Sequence, residues 1–293
     1  MTRTQALIAV HVVAVLFGTC GILGELIDAG ADVITWGRAL FAVLSLTLGS
    51  VWMSRRSGSG MPSLALTLKQ GRWFALVSSG AMLALHWVTF FFSVKVGGIA
   101  VATLGFATFP AFITLIEWSL LREHVTKAEW IRLICVTFGL LLVTPSIELN
   151  DSGTQGLIWG VLSGASFGVL AVMNRRYLSS IDAFQVAGLQ NLVVFLLLSP
   201  WSLPQLDRVS PQSWFWILIL GVVCTGLAHL LFVSGLRQLH ARTAGLVVAL
   251  EPVYAIVFAW FLFNQQPNLR TIAGGSIMIL AIISASLAVR QHK

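Results

Sequence analysis

Ten runs of apolar residues follow one another along the chain, at 5–27, 33–53, 73–94, 97–121, 128–145, 154–173, 183–201, 214–235, 243–263 and 271–289. Most approach the roughly 20 residues that carry a helix across a bilayer core at ~1.5 Å per residue. The connections are short, so no soluble domain is inserted. The longest is 55–69 (RRSGSGMPSLALTLK), whose Ser, Gly and Pro predict an irregular turn. The first run follows Met1 and Arg3 as a signal peptide would, but it is long and lacks a clear small-x-small cleavage site. It reads as a retained first span. The pattern predicts an all-α membrane protein with ten transmembrane helices.

Within this pattern one stretch stands out, LHARTAGLVVALEPVYAIVFAWFLF at 239–263. A carboxylate and a helix breaker, Glu251 and Pro252, sit side by side near its middle, about 15 Å in by helical rise. A carboxylate at that depth faces a polar cavity or a partner rather than lipid. Pro252 has no N–H and crowds the carbonyl of Val248, which leaves an acceptor free. An earlier copy lies 142 positions before it. Ala102, Leu104, Ala107, Pro110, Trp118 and Leu120 fall on Ala244, Leu246, Ala249, Pro252, Trp260 and Leu262. Phe109 stands where Glu251 does, so the copy lacks the charge. Phe17-Gly18 falls less regularly on Phe167-Gly168.

Five spans separate the copies. Five is odd, so the second half is expected upside down relative to the first, with the substrate site between the halves. This predicts two five-helix units, 1–150 and 151–293, as an inverted repeat.

Composition agrees with a membrane protein. Apolar residues make up 57% of the chain and charged ones 10%, and mean hydropathy is +0.88. The net charge of +7 is not gathered into a basic face, so nucleic acid is not the partner it points to. With the N-terminus inside, fourteen of the 18 Lys and Arg fall at inner ends (Arg3, Arg55 and Arg175 among them). Three, Lys95, Arg208 and Arg270, fall at outer ends. This bias puts both termini in the cytoplasm. Cys20, Cys135 and Cys224 lie in apolar runs with neither disulfide nor metal spacing.

The segments LEPVYAIVFAWFLF and PAFITLIEWSLLREHVTKAEW, with Gly139 after the latter and the Trp36-Gly37-Arg38 triplet, resemble the EamA-type repeat of the drug/metabolite transporter superfamily. The resemblance covers nearly the whole chain. It implies a ten-helix carrier of the bacterial inner membrane, an exporter of amino acids or other small metabolites. It also implies a central cavity walled by spans one, three, four, six, eight and nine. One departure is that Arg122-Glu123 after the first Pro helix becomes Asn264-Gln265-Gln266 after the second.

The candidate chemistry is sparse. Glu251 reads as a site for a cation, a proton or a substrate amine, or as a structural acid bonded to backbone that the proline frees. Arg38 reads as a partner for a substrate carboxylate or for Glu251, or as a snorkelling cation. His86 and His229 read as buried structural imidazoles or proton-coupling groups. Trp87, Phe90 and Tyr254 belong to an aromatic set that lines a pocket or packs, and Asn191 and Asn174 are candidate polar wall groups. Pro110 and Pro252 are candidate hinges. Glu117 is expected to pair locally with Arg122 or the adjoining turn. Gly156, Gly160, Gly164 and Gly168 mark one helix face where another backbone comes close. No Gly-rich Lys-Ser/Thr loop, nucleophile–base set or metal-ligand cluster is present, so no cofactor, metal or enzymatic role is expected. The partners expected are a small-molecule substrate and membrane lipid, with proton coupling open. The alternative reading is a flippase-like or other non-transport membrane protein on the same scaffold.

Overall fold

The computed structural model describes residues 1–57, 72–143, 150–248 and 250–291. Most of the 55–69 linker, Glu148, Ala249 and Lys293 lie outside them. Among the described residues every regular element is a helix. We label these α1 (Arg3–Leu26), α2 (Ala31–Ser57), α3 (Trp73–Phe106), α4 (Phe109–Ser119), α5 (Lys127–Val143) and α6 (Ser152–Met173). The rest are α7 (Ala183–Ser202), α8 (Pro211–Gly221), α9 (Ala228–Leu236), α10 (Ala241–Val248), α11 (Glu251–Phe263) and α12 (Leu269–Gln291). Two π-helical turns, Asn174–Leu178 and Val222–Leu227, extend α6 and join α8 to α9. Six helical stretches among the described residues are long and apolar enough to cross a membrane, and α11 and the first half of α12 are shorter apolar helices.

Large apolar side chains lie on the outer surface, while a few charged residues are buried inside. Leu48, Leu120, Phe261 and Leu269 are 71%, 75%, 81% and 84% exposed, whereas Arg38 and Glu251 are 1% and 2% exposed. Large apolar side chains at that exposure are what a hydrocarbon solvent selects.

Four local features differ from ten plain helical runs. The first is in α3, whose backbone leaves helical geometry at Gly98 (φ 81°, ψ 169°). His86 before the break stacks on Phe106 after it at 5.0 Å, so the chain reverses there and the two arms lie side by side. The positive φ explains the glycine. Lys95, just before the reversal, donates from Nζ to the carbonyl of Ile27 at the end of α1, at 2.7 Å.

The second and third features are interruptions ahead of the two prolines. Sequence placed Pro110 and Pro252 as kinks inside continuous spans. Instead the helix stops, and each proline is the second residue of a new one, α4 or α11. A missing N–H costs nothing in a first turn, where that donor has no intrahelical partner. Thr108 bridges the first break, its Oγ1 donating to the Gly105 carbonyl at 2.7 Å. At the second break Leu250 N donates to Val247 O at 3.2 Å, and Val253 N to Leu250 O at 3.1 Å. The fourth feature is the π-turn Val222–Leu227, which interrupts the run at 214–235.

The glycine face of α6 forms the seam expected of it. A Cβ on Gly156 would lie 2.5 Å from the Cα of Gly97, and one on Gly164 would lie 2.8 Å from the Phe106 carbonyl oxygen. Both arms of α3 therefore pack on α6 almost backbone to backbone. Ser93 fixes the register by donating to the Gly156 carbonyl at 2.6 Å. On the far side, Gly221 brings α8 against Arg38 of α2, and Trp36 donates from Nε1 to Ser199 of α7 at 2.9 Å. Helix α1 runs through the middle, packed against α3, α9, α10 and α11.

Candidate functional site

Arg38 is the residue around which the site is assembled. It sits on α2, and its Nε donates to Thr225 Oγ1 at 2.7 Å. Its Nη2 reaches the Cys224 carbonyl at 3.5 Å and the Cys20 sulfur at 3.8 Å, while Nη1 takes part in none of these bonds. The guanidinium carbon lies 4.0 Å from the Trp87 ring centroid and 5.2 Å from that of Phe91. Aromatic faces and neutral acceptors therefore hold the cation without cancelling its charge. The π-turn carries Cys224 and Thr225, and Thr225 Oγ1 in turn donates to the Leu220 carbonyl at 2.7 Å. π-turns recur at functional sites because they free backbone groups from the regular ladder.

Glu251 opens α11. A carboxylate in the first turn faces the partial positive charge of the helix N-terminus. Its Oε2 is buried and meets no hydrogen-bond partner among the described residues. Arg38 makes its bonds to Thr225, Cys224 and Cys20, not to Glu251, so the direct Arg38–Glu251 bond weighed from sequence is not formed. Both residues line one cavity of about 20 Å³, together with Phe17, Cys20, His86, Trp87, Phe90 and Phe106. That is room for about one water. Arg38 and Glu251 are themselves 1% and 2% exposed.

His86 faces this cavity with one ring nitrogen committed. The Ser163 hydroxyl donates to the His86 carbonyl at 3.0 Å, and His86 Nδ1 contacts the same oxygen at 2.7 Å. With that hydroxyl proton spent, Nδ1 is the donor of the pair. The ring also packs on Phe167 at 4.8 Å. Phe106, Phe109 and Phe167 pack together at 4.9 to 5.2 Å, and Phe232 packs on Phe167 at 5.2 Å. Further along α4 and α6 lies a second, polar cavity of about 340 Å³, lined by Glu117, Glu123, Arg175, Arg176 and His240. Phe109 and Phe167 precede its lining residues on their respective helices.

Of the residues singled out from sequence, Glu251, Arg38, His86, Trp87 and Phe90 meet at the central cavity. The structure places three others elsewhere. His229 stands behind Trp87, its ring 6.2 Å away, with Nε2 2.9 Å from Gln190 Oε1. Gln190 Nε2 donates to Ser79 Oγ and Asn174 Oδ1 at 2.7 and 2.6 Å. Its Oε1 is therefore the acceptor, and His229 must donate from Nε2. Asn191 donates to the Ala187 carbonyl of its own helix at 2.8 Å. Tyr254 is half-buried and packs against α1, where a Cβ on Gly18 would lie 2.8 Å from its own. Trp118 and Trp260 are about half exposed at the surface. Sequence reading did not single out Thr225, Ser163 or Gln190. The available signal was a neutral polar residue inside an apolar run, and Gln190 is the immediate neighbour of Asn191.

The EamA-like transporter family matches the chain twice, over residues 4–144 and 154–287. The chain belongs to that family. It is a multi-pass membrane transporter and not an enzyme. The uncharacterized transporter YwfM of Bacillus subtilis is 24% identical over 97% of this EamA-like chain and 94% of its own. The pseudopaline exporter CntI of Pseudomonas aeruginosa is 26% identical over 72% of this chain and 74% of its own. An S-adenosylmethionine uptake transporter of Rickettsia conorii is 22% identical over 73% and 71%. A solved crystal structure superimposes with a TM-score of 0.72 over the whole of both chains at 16% identity, a likeness of fold.

Proposed function

We propose that this EamA-like protein is a secondary transporter, an exporter, that moves small organic metabolites such as amino acids or related amines by alternating access. The observation that carries the reading is a guanidinium and a carboxyl group on one cavity. Arg38 is held by neutral groups, and Glu251 has an oxygen with no partner. A zwitterion offers a carboxylate to the first and an ammonium to the second, and the aromatic walls accept an apolar remainder. Glu251 is also the group that would carry a coupled proton. The direction of export comes from the family resemblance.

The architecture proposed is ten spans in two inverted five-helix repeats, 1–150 and 151–293. Two things support it. The twelve helices regroup into ten spans when the arms of α3 are separated, its second arm is joined to α4, and α8–α9 and α10–α11 are each joined across their interruptions. The family also matches the two halves separately. We place the protein in the bacterial cytoplasmic membrane with both termini inside, from the Lys/Arg bias. A reporter fused at Asp151 that read cytoplasmic would overturn that orientation.

The substrate class is tested by thermal unfolding of the purified protein against a panel of amino acids, amines and lipid headgroups. A ligand at about a hundred times its Kd stabilises the folded state by about 2.7 kcal/mol, enough to move the midpoint visibly. Amino acids or amines should raise it in the native protein and fail to do so in Glu251→Gln. A response to lipid headgroups alone would favour the flippase-like reading instead.

A further inference from the structure

Two of the three cysteines, 204 residues apart, come together beside the central cavity, whose wall includes Cys20. Cys20 lies on α1 and Cys224 in the π-turn Val222–Leu227. The Cys20 sulfur is 3.9 Å from the Cys224 carbonyl, and the Cys224 sulfur is 3.2 Å from Oγ1 of Thr19, the residue next to Cys20. Arg38 Nη2 touches both residues. Cys20 lines the cavity, so a small reagent that enters the site reaches this sulfur. A single buried cysteine is ordinarily an inert small core residue. Here two thiols from distant parts of the chain share one patch beside the charged centre.

We propose that Cys20 and Cys224 form an oxidisable dithiol whose disulfide ties α1 to the π-turn and locks the central cavity shut. The two thiols give up two protons and two electrons and gain one S–S bond. A membrane-permeant diazene such as diamide takes up both protons and both electrons as its N=N bond becomes HN–NH. The bond would join an element of residues 1–150 to one of residues 151–293, the parts that must move apart for alternating access. Only this last step rests on the transport reading.

The test has two readouts on the full-length protein. Free thiols are counted after denaturation, before and after diamide, and the cross-linked peptide is sought by mass spectrometry. The count should fall from the three cysteines of the chain to one, Cys135, with a Cys20–Cys224 peptide that a reductant removes. Three thiols persisting, or adducts at Cys135 only, would overturn the site, and this readout needs no substrate. Transport is then compared with and without diamide in the native protein, in Cys224→Ser and in Cys135→Ser. Each is scored as the ratio of oxidised to untreated activity. Diamide should abolish transport in the native protein and in Cys135→Ser, reversibly, and leave the ratio in Cys224→Ser near one. A cross-link with undiminished transport overturns the lock, and inhibition that survives in Cys224→Ser assigns it to another group.

Discussion

Arg38 shows how a charge is kept in a membrane interior without being neutralised. Its anchors are a hydroxyl, a carbonyl, a thiol and two ring faces, none of which carries a full negative charge. Thr225 is the shortest of these contacts. Thr225→Val keeps the shape and removes the acceptor, which leaves a buried guanidinium N–H unpaired at a cost of about 1–3 kcal/mol. The thermal midpoint should fall and the response to amino acids should be lost, while Thr225→Ser should retain both. A valine variant with the native midpoint and response would remove Thr225 from the site. Arg38 and Glu251 were legible in the sequence because a formal charge inside an apolar run is conspicuous. Thr225, Ser163 and Gln190 were not. They are small or neutral, and their partners Arg38, His86 and His229 lie 187, 77 and 39 residues away. His229 was conspicuous for its residue type. What it faces depends on the rotation of α9, which a run apolar on every side does not encode.

At the scale of elements, the prolines and glycines carry the design. The repeat set Pro110 and Pro252 in equivalent places, and both now open a helix after an interruption. The breaks themselves were not legible, since a proline within an apolar run reads equally as a kink or a first turn. The π-turn Val222–Leu227 left no trace, because one extra residue in a turn does not alter an unbroken apolar run. The face Gly156–Gly160–Gly164 was legible, since a four-residue spacing of glycines on one helix has few other uses. If the two breaks are the hinges on which α4 and α11 swing, Pro110→Ala with Pro252→Ala supplies two backbone donors and favours continuous helices. We expect the double variant to insert and to bind, as judged by its ligand-induced thermal shift, but to transport slowly. Native turnover in that variant would remove the hinge role.

At the scale of the whole molecule, the surface is apolar as well as the core. Two of the buried charged residues, Arg38 and Glu251, meet at one small cavity, and Phe106 on its wall packs on Phe109 and Phe167. A small site between the halves fits a cycle in which the site opens to one side at a time. The family and the membrane class were legible from composition, run length and repeat. The packing of Phe106, Phe109, Phe167 and Phe232 was not, because it depends on which faces of α3, α4, α6 and α9 meet. The most direct measurement of the central claim is counterflow of a radiolabelled ligand from the thermal panel, in proteoliposomes carrying the native protein or Glu251→Gln at matched amounts. The change removes one charge and keeps the size, and no hydrogen bond to Glu251 Oε2 is lost. The account predicts saturable exchange by the native protein and exchange at the level of empty liposomes by Glu251→Gln, with the thermal midpoint of the ligand-free protein maintained. Exchange by Glu251→Gln at the native rate and with the native pH profile would contradict it.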